Sequence, residues 1–209
     1  MLAGGANRDY MRELSIGPAH GWSAIRVGDA NSGAARIPLA PTDSLGATRS
    51  FGNSKANEDG PSVSPDGRVI AYESNESGRS EVYIQPVPGP GPEVAVSVDG
   101  GGEPVWSPDG STLFYRGPTR LMSATVIDRP ALAVGRRDSL FADTYRKGFG
   151  EAYYDIFPTG REFLMVGPPA TVQQAGKTQV PVPLPESKVY VIVNWTQLIG
   201  KQHGAVGGP

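Results

Sequence analysis

Five carboxylates and a nearby amide are spaced so that they could share one site: Glu58, Asp59, Glu103, Glu151 and Asp155, with Asn57 beside the first pair. Asn53 lies close enough in sequence to join them. Hard oxygen donors without thiolate or imidazole suit Ca²⁺ better than zinc or copper. A calcium ion held this way could polarise an ester carbonyl and activate water, so hydrolysis would need no serine nucleophile. The alternative is that these acids are solvated charges at the mouth of an opening, since Asp and Glu are mostly exposed.

Other chemistries fail on residue supply. The chain has no cysteine, which excludes disulfides and thiolate metal sites. Histidine occurs only at His20 and His203, too few for a histidine zinc site. A Ser-His-Asp triad would depend on His20, outside the repeated part of the chain. There is no G-x-S-x-G elbow, and neither a kinase Gly-rich loop nor an H-R-D motif is present.

Bringing the acids together requires elements that repeat around an axis, and the chain has such a repeat. Ser64-Pro65-Asp66-Gly67 returns as Ser107-Pro108-Asp109-Gly110 and, more loosely, as Phe157-Pro158-Thr159-Gly160. Asp66, Gly67, Asp109 and Gly110 are read as turn residues. Proline presets φ, the aspartate accepts nearby N–H groups, and glycine takes a positive φ. Each turn leads into consecutive apolar residues, Ile70-Ala71-Tyr72, Leu113-Phe114-Tyr115 and Phe163-Leu164-Met165. Such runs predict strands buried on both faces. A third strand is expected at 81–87, 120–127 and 188–195, and a fourth after the first two units, at 93–98 and near 138–142. A period of about 40–50 residues built from short strands indicates β-propeller blades. With 28 glycines and 20 prolines in 209 residues, long helices are not expected. The strongest helical pattern is Arg8 to Leu14.

The expected organisation is an N-terminal extension over 1–20, outer strands over 21–52, and blades over 53–98, 99–145 and 146–199. A Pro-rich loop interrupts the last blade at 168–187, and a flexible tail covers 200–209. The glutamates Glu58 and Glu151 both lie six positions before their turn and are expected to occupy similar places on innermost strands, facing the central channel.

Residues Ser64 to Tyr72, Glu76 to Tyr83, Gly101 to Tyr115 and Val191 to Trp195 resemble the TolB-like, WD-repeat-like propellers of bacteria. The likeness is closest to the C-terminal half of the sensor region that follows bacterial serine/threonine kinase domains. The resemblance implies an all-β, partial propeller of about three four-stranded antiparallel blades. A homodimer would complete six blades, since open flanks leave apolar faces uncovered. It also implies a binding or sensor module that recognises a small molecule or peptide at the channel mouth. The alternative is a calcium-dependent lactonase or esterase, by analogy with propeller lactonases. A net charge of −2 without a Lys/Arg run excludes a nucleic-acid footprint. No apolar stretch is long enough to span a bilayer, and no signal peptide is recognised, so a free-standing chain is expected in the cytoplasm.

Overall fold

The computed structural model describes residues 9–18, 21–30, 32–43, 48–52, 55–89, 91–148, 151–167 and 189–193. The expected Pro-rich loop and tail, together with His20, Asn53, Trp195 and His203, lie outside the described residues. The described elements are all strands, arranged in four antiparallel sheets.

The first sheet contains β1 (Asp9–Ser15), β2 (Trp22–Asp29), β3 (Ala35–Arg36) and β4 (Leu39–Pro41). Both β3 and β4 pair with β2, so they act as one strand broken at Ile37-Pro38. The second sheet runs β5 (Glu58–Val63), β6 (Val69–Ser74), β7 (Glu81–Pro86) and β8 (Val94–Ala95). The third runs β9 (Gly102–Trp106), β10 (Thr112–Arg116), β11 (Arg120–Ile127) and β12 (Ala133–Ala142). The fourth contains β13 (Tyr154–Ile156), β14 (Glu162–Val166) and β15 (Val189–Val193).

The first sheet contains a strand within the segment expected as an extension. Asp9–Ser15, despite its helical pattern, is a strand. It pairs antiparallel with β2, Leu14 opposite Ile25 and Ser15 opposite Ala24. Helix propensity is worth only a few tenths of a kcal/mol per residue, and a sheet partner overrides it. β1 packs beside β5 as β5 packs beside β9, so it supplies the inner strand that the sequence seemed to lack. The described residues therefore form a partial propeller of four sheets, one more than the repeat alone suggests.

Two-sided burial holds the sheets together. Ile70 and Tyr72 pack towards Ala24, Ile37 and Leu39 of the first sheet. Between them, Ala71 faces Trp106, Leu113 and Tyr115 of the third. One blade later Phe114, at the place of Ala71, likewise faces the following sheet, onto Phe163 at 4.9 Å between ring centroids, with Leu121, Leu140 and Met165 around it. Alternate residues of each second strand thus serve opposite neighbours, which is why the apolar runs are continuous.

The turns close as their chemistry requires. The Ser64 hydroxyl donates to Asp66 Oδ1 at 2.6 Å and accepts Val69 N–H at 3.1 Å, while Gly67 N–H reaches Ser64 O at 2.8 Å. Ser107 repeats this with Asp109 at 2.6 Å and Thr112 N–H at 2.9 Å. The hydroxyl of Ser107 and the N–H of Ser111 hold the Asp109 carboxyl below its ordinary range. Gly110 has φ +72°, and a Cβ there would meet only Pro65 at 3.5 Å, an ordinary contact. Gly110→Ala therefore isolates the backbone cost. The left-handed penalty less the reduced freedom of the unfolded chain leaves a loss of about 1 kcal/mol. Urea unfolding should show a lower midpoint at unchanged slope, and an unshifted midpoint would contradict this account of the turn.

Candidate functional site

The inner strands do not run straight. The β5–β6 register slips between Asp59 and Ser62, and the β9–β10 register slips between Gly102 and Val105. Each slip centres on a left-handed residue four positions before its turn, Gly60 at φ +56° and Glu103 at φ +51°. A proline follows each, which suits a position where the ladder donates no bond.

At these slips charged groups cross from sheet to sheet. Arg26 on β2 grips Asp59 on β5 with two bonds, Nε–Oδ1 at 2.6 Å and Nη2–Oδ2 at 3.0 Å. Glu73 on β6 accepts the backbone N–H of Glu103 at 2.7 Å. Glu103, itself buried, reaches forward to the fourth sheet. Its carboxylate accepts Tyr153 N–H at 2.7 Å and Gly148 N–H at 2.9 Å, and its carbonyl accepts the Tyr154 hydroxyl at 2.9 Å. Arg116 on β10 lies 3.5 Å from both Glu103 and Asp143, bonds Arg146 O, and stacks over Tyr154 at 5.4 Å. Two carboxylates and an aromatic face compensate a guanidinium that is almost wholly out of water. Burial raises the Glu103 carboxyl above its usual range, and the N–H groups and Arg116 pull the other way.

Glu73 and Arg116 occupy matching places, six residues after Gly67 and Gly110. A charge ending an apolar run was the available signal for both, and sequence reasoning missed it. Arg26 and Glu13 were missed as well, because their segments were read as outer strands over 21–52 and as an N-terminal extension over 1–20.

The four inner strands surround a cleft of about 490 Å³. Glu151, Asp155 and Tyr153 line it, together with Glu13 of β1 and apolar groups such as Val105 and Leu164. Of the sequence candidates, only Glu151 and Asp155 reach this cleft. Glu58 does not, although Glu151 has the same spacing from its turn. The slip at Gly60 adds a residue to β5, so positions upstream of it change side. Glu58 is buried instead against Gly52, in a separate pocket of about 260 Å³ with Ile37 and Phe51. Asn57 bridges sheets, its Oδ1 accepting Ala35 N–H at 3.3 Å. Asp59 and Glu103 are engaged as described. Among the described residues no three His, Asp or Glu side chains are grouped so as to hold a metal ion. The expected convergence of carboxylates on one calcium is thus not the arrangement these residues adopt.

No protein-family model matches the chain, and no curated protein is similar to it. Among solved structures it is similar to a putative TolB from Agrobacterium tumefaciens, with 18% identity and a TM-score of 0.61 over 88% of this chain and 62% of that one. It also aligns with a structure from a study of two prolyl endopeptidases, at 13% identity and a TM-score of 0.47, over 90% of this chain and 29% of that one. The first likeness shows the fold, a TolB-like β-propeller, and this chain spans just under two thirds of the length of that structure. Among the described residues no helix is long and apolar enough to cross a membrane.

Glu103→Ala should cost about 3 kcal/mol or more, because buried donors and Arg116 lose their partner. Glu103→Gly should cost about 1 kcal/mol less than the alanine variant, since glycine adopts the left-handed backbone freely. Denaturant unfolding separates the contributions. An alanine variant as stable as the parent would mean that the carboxylate clamp contributes nothing.

Proposed function

We propose that the protein is a β-propeller binding module that takes a small molecule or peptide in the cleft between its inner strands. The observation that carries this reading is the cleft itself, a concavity with mostly apolar walls and a few converging polar groups. Tyr153 offers an aromatic wall, with the Arg146 guanidinium 5.6 Å from its ring centre, and Glu151 and Asp155 add charge. A calcium-dependent lactonase or esterase would need several carboxylates directed at one ion. Asp59 and Glu103 are committed to Arg26 and to backbone N–H groups, which favours binding over hydrolysis.

A fragment screen followed by amide ¹H–¹⁵N shifts tests the reading. Perturbations should cluster at residues 13–15, 151–155 and 164–166. Clustering around Phe51 and Glu58 would move the binding site to the second pocket and contradict the proposal.

The partner this reading favours is a second copy of the chain. Met11 and Ile16 are 66% and 68% exposed at the first sheet, and Leu164 is 37% exposed at the fourth, so both ends of the arc carry uncovered apolar groups. Four sheets per chain would give eight blades on pairing, within the range that rings adopt, in place of the six expected from three-bladed halves. Light scattering on a sizing column should give twice the 22.0 kDa chain mass, and a mass of 22.0 kDa would refute the pairing.

A further inference from the structure

The junctions between neighbouring sheets repeat one pattern, and the two ends of the arc hold its unmatched halves. Ala71 and Phe114, each four residues after its turn glycine, face the following sheet and are buried. Leu164 holds the same place after Gly160 and is exposed, with no following sheet among the described residues. The turns stack in the same direction. Pro18 leans on Gly67, Pro65 on Gly110 and Pro108 on Gly160, each within 4 Å of where a Cβ on that glycine would stand. Pro158 is next in this series, and no glycine of a later turn answers it among the described residues.

The opposite half lies on the first sheet. Ala24 and Arg26 turn towards the second sheet, so Ile25 and Val27 turn away from it. Leu14 pairs with Ile25 and Met11 with Val27, which puts all four on one face. Met11 and Leu14 are exposed there, and Ile25 and Val27 are half-buried. Within one chain the two halves stand on either side of the cleft, Leu14 on one wall and Leu164 and Val166 on the other. Matching them selects the occupant. Only the first sheet leaves uncovered, among the described residues, the kind of face that Ile70 and Tyr72 or Phe163 and Met165 present to the sheet before them. A second copy brings that face ready-made. At the inner junctions Glu73 and Arg116 add charged bonds, whereas Val166 holds their place on the fourth sheet.

We infer, resting on the pairing reading above, that the open face of the fourth sheet is the seat for the first sheet of a second copy, joined head to tail. Leu164 and Val166 meet the partner's Ile25 and the partner's Leu14, and Pro158 leans on the partner's first turn. Two such junctions, related by a two-fold axis, make the pair. Each continues the series of internal junctions without their charged clamp, so its strength varies little with salt.

The test measures dimer dissociation of the full chain by sedimentation over a concentration series. Leu164→Asp alters one half of the junction and Leu14→Asp the other. Each should weaken pairing at least about ten-fold, because it buries an unpaired carboxylate in both junctions. An equal mixture of the two variants should pair more tightly than either alone, since one of its two junctions then carries no aspartate. A contact of Leu164 with the partner's Leu164 gives no such recovery. The parent's dissociation constant should change less than about three-fold between low and high salt, and steep weakening with salt would overturn the apolar seat. Should a variant fail to fold, Leu164→Cys mixed with Ile25→Cys decides. The chain has no cysteine of its own, so a short bismaleimide should join the mixture and neither variant alone. A dimer left intact by Leu14→Asp, or a mixture no tighter than its parts, would overturn the seat and leave the pairing reading standing. A parent chain that stays single at every concentration would overturn both.

Discussion

The arc depends on charged groups that fasten each sheet to the next at the slips in the inner strands. Sheets stacked only through apolar faces could slide, because the hydrophobic effect has no direction. A carboxylate that accepts named N–H groups has one register. Glu103 is the strongest case. It is held in a left-handed conformation that costs a non-glycine residue about 1–2 kcal/mol, and it returns bonds to both neighbouring sheets. Glycine fills the corresponding position one sheet earlier, at Gly60, where Asp59 and Arg26 supply the crossing pair instead.

That fastening also sets the cleft. Tyr153 lies on the cleft wall because its N–H is bound to Glu103, and Gly148 is fixed by the same carboxylate. Gly148 must be small, since a Cβ there would collide with Glu151 O and the Tyr153 ring. The segment that carries Glu151 is therefore positioned from the third sheet as much as from its own. Neighbouring acids divide in place, with Asp59 and Glu103 holding the sheets while Glu13, Glu151 and Asp155 line the cleft.

The turns and second strands were legible in the sequence because their chemistry is local. Ser64 to Gly67 and Ser107 to Gly110 each contain all the partners that they need. The runs Ile70-Ala71-Tyr72 and Leu113-Phe114-Tyr115 reveal two-sided burial without reference to any distant residue. β1 was hidden because Arg8 to Leu14 has helix-favouring residues and its partner lies across a turn. The symmetry of Glu58 and Glu151 failed for a different reason. Counting residues assumes a straight strand, and the left-handed residue at Gly60 shifts everything before it. Only the three-dimensional register shows which acid faces the cleft.

Amide hydrogen exchange in the unmodified protein tests the central claim, that carboxylates at the slips lock the sheets together. The account predicts that the N–H groups of Glu103, Gly148 and Tyr153 exchange as slowly as those in the middle of β6 and β10, although two of the three lie outside any strand. Exchange at the rate of exposed loop amides would show that the clamps are open in solution, and the arc would need another explanation.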